Sequence, residues 1–584
     1  MTNNLISNLL SERSNFILIG LTGRTGSGCS TASKLLIDSD LKFPREEEIH
    51  YQQSSFFKGL DKKRYTIVRN YAQKNHDPFL LIKISDFITA KLLNIEESEF
   101  KSLLKYIVEE HYHQKIEPSG IIDKFNELQT QLNNNQNLMN FNSYLLNDVQ
   151  GSDNVSSAHV WQSFISEASS SLKKILQDDL GNCYVKLYQH IGDSIRKVAS
   201  IKTSFKDLTF NPIGLHILPN MINKLIKVYR KERDDQKTYI VIDAIRNPYE
   251  AKFFKDRYSA FYLISINAPS KDRKRYLQDK YKLSVNQIDE LDKKESGKLQ
   301  KDKEKCISDE HKKYHELITA NVKKCIEISD IHIFNPRNEP NNHNILKAQL
   351  AWYLSLIKHP GLITPTSIER AMQIAYTAKL NSGCISRQVG AVVTDENYSI
   401  KSVGWNDVAK GQVPCNLRSL EEVTSFSSDT TYSEYERYDE NFQKFAKTKL
   451  IQLKNIGDGK NKAYCFKSIQ NEIDQEKNQV HTRSLHAEEN AFLQLSKYGG
   501  VGIEGGKLFT TASPCELCAK KAYQLGIKEI IFIDPYPGIA IQHILHIGLN
   551  PPKLIQFRGA IGKSYQQLYE PLMPYKDELE FLKV

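Results

Sequence analysis

No stretch of the 584-residue chain approaches the roughly 18 consecutive apolar residues of a membrane-spanning helix, so no membrane partner is expected. The opening residues, MTNNLISNLLSERSN, lack a basic segment followed by an apolar core, and a cytoplasmic location is the expectation. Cysteine is scarce, and the nine present are odd in number and scattered, which argues against a disulfide framework and for reduced thiols and metal ligands. No charge sign dominates: 79 basic against 69 acidic residues leave +10, spread over mixed segments such as 271–305. That mild excess suits phosphorylated metabolites without singling out nucleic acid. What remains is ample for folding, since 40% hydrophobic residues and 29 tyrosines can build two or three domains.

The densest chemistry is His486-Ala487-Glu488 followed, after residues 489–513, by Pro514-Cys515-Glu516-Leu517-Cys518. One histidine and two cysteines make a three-ligand Zn²⁺ set that leaves a fourth position for water. His486, Cys515 and Cys518 are the expected ligands. A carboxylate two residues beyond the histidine, at the start of the helical run HAEENAFLQL, faces the same water without ligating the metal, so Glu488 is the expected proton shuttle. A lone C-x-x-C also serves redox or structural roles. Here a strand-like run, Lys507 to Ala512, delivers Pro514 to a helix start, and both halves of the set sit at helix N-termini that favour thiolate and oxyanion. H-x-E followed by P-C-x-x-C is the signature of zinc nucleobase deaminases.

Near the N-terminus the missing residue is a lysine. The apolar run Phe16 to Gly20 leads into Gly23-Arg24-Thr25-Gly26-Ser27-Gly28-Cys29-Ser30 and then a helical pattern, the strand, loop and helix order of a phosphate-binding P-loop. The pattern G-x-x-x-x-G-K-[ST] is met at Gly23, Gly28 and Ser30, with Cys29 where lysine belongs. Losing that lysine weakens phosphoryl transfer more than binding, and Arg24 is a candidate substitute charge. Thr238 to Ile242 reads as a parallel strand ending at Asp243, the candidate Mg²⁺ ligand for a bound nucleotide. Ala260 to Asn267 is a further strand, and Lys271 to Arg275 resembles the phosphate-clasping arginines of nucleoside monophosphate kinases, or else is a solvated helix face. With Glu327 to Asn335 as the last strand, residues 1–340 form a P-loop kinase-like, doubly wound parallel sheet. Residues 45–235 read as helical, and Trp161 and His111-Tyr112-His113 as structural.

Polar, proline-bearing punctuation at 335–344 and 359–366 places a linker at 341–365 and a second domain at 366–584. That domain opens with a capped amphipathic helix, residues 367–380, followed by Cys384-Ile385-Ser386-Arg387-Gln388-Val389-Gly390-Ala391-Val392-Val393 and by Gly404-Trp405-Asn406. Together with the H-A-E and P-C-x-x-C pieces and Tyr536-Pro537-Gly538, these residues resemble the deoxycytidylate deaminase family over about 365 to 550. The resemblance implies a cytidine-deaminase-like α/β/α sandwich. It also implies contacts of Arg387 and Asn406 with the nucleotide's phosphate and sugar, of the Ala487 amide with the pyrimidine carbonyl, and of Tyr536 with the pocket. A P-loop kinase-like domain ahead of such a deaminase resembles bacterial antiphage deaminases acting on free deoxycytidine nucleotides. An oligomer, a hexamer by resemblance, and a regulatory nucleotide or RNA are further implications.

A long polar insertion, residues 416–480, departs from the family pattern. Some relatives hold a second, structural zinc, and Cys384 and Cys415 stand at its places here, with Cys465 or His481 to complete the set. The expected activity is zinc-dependent hydrolysis of dCTP or dCMP to the deoxyuridine nucleotide and ammonia, depleting the pool on which phage replication draws. Two alternatives stand beside it: deamination of RNA or single-stranded DNA, which needs a basic aromatic groove, and a non-enzymatic nucleotide sensor, which has no use for Glu488.

Overall fold

The computed structural model describes residues 11–112, 119–147, 158–181, 183–233, 237–297, 309–337, 343–425, 430–453, 459–476, 478–499, 502–534 and 540–582. Two compact units divide the chain: Met1–Thr364 with Gln566–Val584, and Pro365–Tyr565. Among the described residues no helix is long and apolar enough to cross a membrane.

In the first unit, strand β1 (Phe16–Thr22) is followed by helix α1 (Cys29–Leu36), helix α2 (Leu60–Asn75) and strands β2 (Leu80–Lys83), β3 (Thr238–Asp243), β4 (Phe261–Asn267) and β5 (Ile331–Phe334). They lie in the order β5-β4-β1-β3-β2, each neighbouring pair parallel. Parallel strands are covered on both faces, which is why FILIGLT, TYIVI and FYLISIN read as unbroken apolar runs. The chain moves from β1 outward to β2 and β3 on one side, then to β4 and β5 on the other. The switch in strand order therefore lies at β1, and the carboxyl end there is where open α/β sheets place ligands.

Between β2 and β3 the chain forms helices from Ile84–Leu92 to Gly214–Glu232. They close around Phe87, Phe100, Phe125, Leu172, Ile191 and Leu225, all buried. Trp161 packs with ring centroids 5.7 Å from both Phe87 and Phe141, and its indole N–H donates to Asn142 Oδ1 at 3.2 Å. A buried, hydrogen-bonded tryptophan of this kind is a packing residue, as expected. The side chains of His111, Tyr112 and His113 lie outside the described residues.

The stretch 341–365, expected as a linker, holds helix α3 (Asn344–Lys358), of which every residue from Ile345 to Lys358 except Lys347 is buried. Trp352 stacks on Phe57 at 5.5 Å, and the Ser355 hydroxyl donates to the Val68 carbonyl of α2 at 2.8 Å. Polar residues at both of its ends gave the impression of a spacer, whereas the apolar helix between them belongs to the first core. The tail also returns to the first unit from Gln566: Gly361 N–H donates to the Leu568 carbonyl at 2.9 Å, and His359 Nε2 lies 2.7 Å from Glu578 Oε1.

The second unit begins with helix α4 (Ser367–Ala378), whose N-terminus is fixed by a capping box: Glu369 N–H donates to Thr366 Oγ1 at 3.2 Å and Thr366 N–H to Glu369 Oε2 at 2.9 Å. Strands β6 (Gly390–Thr394) and β7 (Ile400–Trp405), helix α5 (Ala487–Tyr498), strand β8 (Lys507–Thr510), helix α6 (Glu516–Gln524) and strands β9 (Glu529–Phe532) and β10 (Lys553–Gln556) follow. The sheet order is β10-β9-β8-β6-β7, with β8, β9 and β10 parallel and β6 antiparallel to both β8 and β7. Alternate residues face opposite layers: Ala391, Val393, Leu508, Ile530 and Phe532 pack with Ala487 and Ala491 of α5, while Val392, Phe509 and Ile531 pack with Met372 and Ala375 of α4. That alternation builds the α/β/α sandwich with a separate core on each face.

The insertion is folded. Its helices Leu420–Thr424, Glu434–Tyr438, Glu440–Gln452 and Phe466–Ile473 surround a core of Leu420, Val423, Tyr432, Phe442, Ala446, Tyr464 and Ile469. Within it Arg418 and Glu436, both fully buried, pair at 2.6 Å, and Glu436 also accepts from the Tyr464 hydroxyl at 2.7 Å and from Arg483 at 3.0 Å.

Candidate active site

Helix α5 starts against strand β7 because nothing larger than glycine fits at residue 404. A Cβ there would come within 2.3 Å of the Ala487 carbonyl and 2.4 Å of the Ala491 amide. Two bonds fix the approach: Asn490 Nδ2 donates to the Trp405 carbonyl at 2.9 Å, and Leu485 N–H donates to the Asp407 carbonyl at 2.8 Å. His486 is the cap residue of α5 and Cys515 the cap residue of α6. The ends of β7 and β8 thus bring together residues that lie 29 and 32 positions apart in the chain.

His486 Nδ1 lies 3.2 Å from Cys515 Sγ and 3.5 Å from Cys518 Sγ. All three ligand atoms are within 4.8 Å of one another, the one such metal-competent group among the described residues. Ligand atoms at zinc bond lengths in a tetrahedron stand about 3.5 Å apart, so the spacing and the one-nitrogen, two-sulfur donor set both fit Zn²⁺. The electrostatics match. The hydrogen bond from Cys518, opposed by burial and aided by His486, holds the Cys515 thiol down at about 3, while that same bond and burial push Cys518 up. Thiolate character at a helix start is what a metal ligand requires.

Glu488 is the second residue of α5, in its first turn, buried, with burial raising its carboxyl above the ordinary range. The Thr510 hydroxyl of β8 donates to its Oε1 at 3.4 Å. Ala487 is fully buried. A buried carboxyl of raised pKa beside a metal-competent cluster has the properties of a proton carrier.

The remaining residues singled out by sequence take other positions. Arg387, with half its side chain exposed, pairs with buried Asp534 at 3.3 Å. Asn406 uses both ends of its carboxamide on the backbone of one loop: Nδ2 donates to the Arg387 carbonyl at 2.7 Å, and Val389 N–H donates to Oδ1 at 2.6 Å. It shapes the loop that carries Arg387. Tyr536 lies outside the described residues. Of the second metal set, Cys384, Cys415 and Cys465 are close enough to act on one another electrostatically, yet they do not form a metal-competent group, and His481 pairs instead with Asp474 at 3.2 Å. Thr510 and Asp534 carried no sequence signal, since a threonine in a strand and an aspartate after one are commonplace.

In the first unit, Gly23 to Gly28 form the turn between β1 and α1, which opens with Cys29 and Ser30, and Gly26 at φ 84° and Gly28 at φ 118° take conformations that favour glycine. Arg24 is buried and donates to the Ala268 carbonyl and the Ser270 hydroxyl, each at 3.2 Å, so its charge serves the loop after β4. Arg273, of the basic run, is fully buried and pairs with Asp292, which makes it a structural residue. Asp243 ends β3 and accepts from the Ser33 hydroxyl of α1 at 3.3 Å, as its expected place at the carboxyl end requires. Burial, and next the Asp243 carboxylate, push the Cys29 thiol up to about 12, leaving it neutral.

Residues 365–534 match the family described as the cytidine and deoxycytidylate deaminase zinc-binding region. The chain is 30% identical over 165 residues to a deoxycytidylate deaminase of Enterobacteria phage T4, covering 28% of this chain and 76% of that protein. Similarity to the deoxycytidylate deaminase of Schizosaccharomyces pombe is 24% over 241 residues, 39% of this chain and 59% of the relative. Among solved structures, the dCMP deaminase of cyanophage S-TIM5 in complex with dCMP and dUMP aligns with 33% of this chain and 99% of its own, at 21% identity and a TM-score of 0.20.

Proposed function

The chain belongs to the cytidine and deoxycytidylate deaminase family, and from that premise we propose that its second unit removes the exocyclic amine of free deoxycytidine nucleotides, dCMP and dCTP, by hydrolysis. The protein is a hydrolase of the deaminase class. Water and a cytosine nucleotide give the uracil nucleotide and ammonia, which requires a proton to leave the water and reach the departing nitrogen.

The observation that carries the reading is Glu488, a buried carboxyl of raised pKa two residues beyond His486, which converges with Cys515 and Cys518. Glu488 takes the proton from the attacking water, hands it to the ring N3, and carries a second to the amine as the bond from C4 breaks. Thr510 holds the carboxyl in place. His486, Cys515 and Cys518 would hold Zn²⁺, which when bound would supply the Lewis acidity that lowers the pKa of water. The Ala487 amide binds the pyrimidine carbonyl. Arg387 exchanges Asp534 for the nucleotide's phosphate, a charge-assisted pair of the kind arginine favours. Asn406 positions that arginine through the 387–389 backbone. Depletion of deoxycytidine nucleotides during phage replication is the biological role that this activity fits.

Purified full-length protein incubated separately with dCMP, dCTP, single-stranded DNA and RNA tests the reading. Ammonia release from a free nucleotide supports it; release from polymer alone overturns it in favour of an editing enzyme.

A further inference from the structure

The glycine loop of the first unit lacks its lysine and turns its one arginine, Arg24, to the Ala268 carbonyl, and the fold brings a cation from elsewhere. Arg337 follows β5 and lies across the loop: its Nε donates to the Gly26 carbonyl at 2.8 Å and its Nη1 to the Thr31 hydroxyl at 3.4 Å. The guanidinium stacks on the Tyr276 ring with 4.2 Å to the centroid, and its Nη2 would stand 3.3 Å from a Cβ on Gly28. Burial depresses its pKa, and among the described residues it has no carboxylate in salt-bridge range. Charges withdrawn from water are ordinarily paired.

What Arg337 faces is built for an anion. Helix α1 has no side-chain cap, and the first amides of the turn bonded within the protein after Ser27 are those of Thr31 and Ala32, both to the Gly28 carbonyl. The amides of Gly28, Cys29 and Ser30, at a helix N-terminus, donate to no backbone carbonyl among the described residues. Ser27, fully buried in the same turn, has a hydroxyl without a partner. Asn335 holds the turn from above, its Nδ2 donating to the Ser27 carbonyl at 2.7 Å, and its buried Oδ1 is likewise unsatisfied. The other nearby arginine, Arg246, is occupied: it pairs with buried Glu295 at 2.5 Å, and Glu295 also accepts from the Thr25 amide at 3.1 Å.

We propose that the first unit binds the phosphate chain of a nucleoside polyphosphate on the amides of Gly28, Cys29 and Ser30, with Arg337 in the charge role that Cys29 cannot fill. The cation arrives from a different strand end, so the site survives the loss of the loop lysine. Arg246 and Glu295 form its closed flank. This inference does not rest on the deaminase reading.

Calorimetry on the full-length chain carrying Glu488→Ala, titrated with inorganic tripolyphosphate and with ATP, tests it. Both ligands are expected to bind, Arg337→Gln to weaken binding at least about tenfold, and Arg337→Lys to restore part of it, in line with the strength of charge-assisted phosphate contacts. Tighter binding of ATP than of tripolyphosphate adds a nucleoside contact to the site. Hydrogen exchange provides a readout independent of variant folding: in the unmutated arginine chain, tripolyphosphate should protect the peptide spanning residues 24–31. Absence of binding, equal affinity in Arg337→Gln, or protection confined to other peptides would each overturn the assignment.

Discussion

Thr510 Oγ1 and Glu488 Oε1 are 3.4 Å apart, joining strand β8 to helix α5 through two buried side chains. The hydroxyl orients a carboxyl whose value to the reaction lies in holding a proton. Glu488→Gln keeps size and polarity but removes proton transfer, so deamination should fall by about 10²–10⁴-fold with bound zinc unchanged. Thr510→Val should lower kcat by about tenfold and leave KM near its original value, as loss of a positioning contact does. Undiminished ammonia release by the glutamine variant would remove Glu488 from the mechanism.

Metal content gives a second prediction. Wild-type protein should carry about one zinc per chain, because one group of described residues has the spacing of a tetrahedral site. Cys515→Ala or Cys518→Ala should lose that ion and all activity while the first unit keeps its melting transition. Elemental analysis after gel filtration reads the stoichiometry, and a reproducible value near two would restore the three-cysteine set of Cys384, Cys415 and Cys465.

Arg418 and Glu436 hold the insertion together from inside. Both are fully buried, and a buried pair broken from one side costs about 3–5 kcal/mol. Glu436→Ala should therefore unfold the 416–480 segment well before the rest of the second unit. Limited proteolysis followed by mass spectrometry should show early cuts there. Replacing both partners with apolar residues should recover part of the loss, since Arg418 is then not stranded and only the partly exposed Arg483 loses its carboxylate.

His332 sets a pH limit on the first unit. Burial holds its imidazole down to about 3, next to the Ser265 hydroxyl at 2.8 Å, whereas an unfolded histidine titrates near about 6.5. The unfolded chain takes up the proton first, so stability is intact above pH of about 6.5. It declines as pH falls toward about 3, by up to about 1.4 kcal/mol per unit. Denaturant melts of wild type and His332→Asn between these limits should differ in slope, with the variant the flatter of the two.

The metal-competent cluster and the carboxyl beside it were legible because they are local. His486 and Glu488 share one helix start, Cys515 and Cys518 another, and each helix start carries its own sequence punctuation. The parallel strands were legible for the opposite reason: burial on both faces turns them into apolar runs that stand out from helical periodicity. Residues whose meaning depends on long-range placement were not. Arg24 looked like a substitute for the loop lysine, yet it points to the Ala268 carbonyl, while Arg337, over 300 positions away, lies across the loop. Asn406 makes two bonds to the 387–389 backbone that brace the loop, an arrangement no local pattern announces. Helix α3 was hidden by the polar residues flanking it, and no local signal announces that a buried helix belongs with a strand domain begun 330 residues earlier.

The hydrogen bond between Gly361 and Leu568 means that the chain departs from the first unit and rejoins it at a single doorway. Residues 365–565 are in that sense a cassette, threaded into a host fold whose last piece is supplied only after the guest has been translated. Conventional truncation at either side of Thr364 would leave the host short of its final helix. Splicing Thr364 to Gln566 through a few flexible residues would keep the host whole, and expressing 365–565 alone would keep the guest whole.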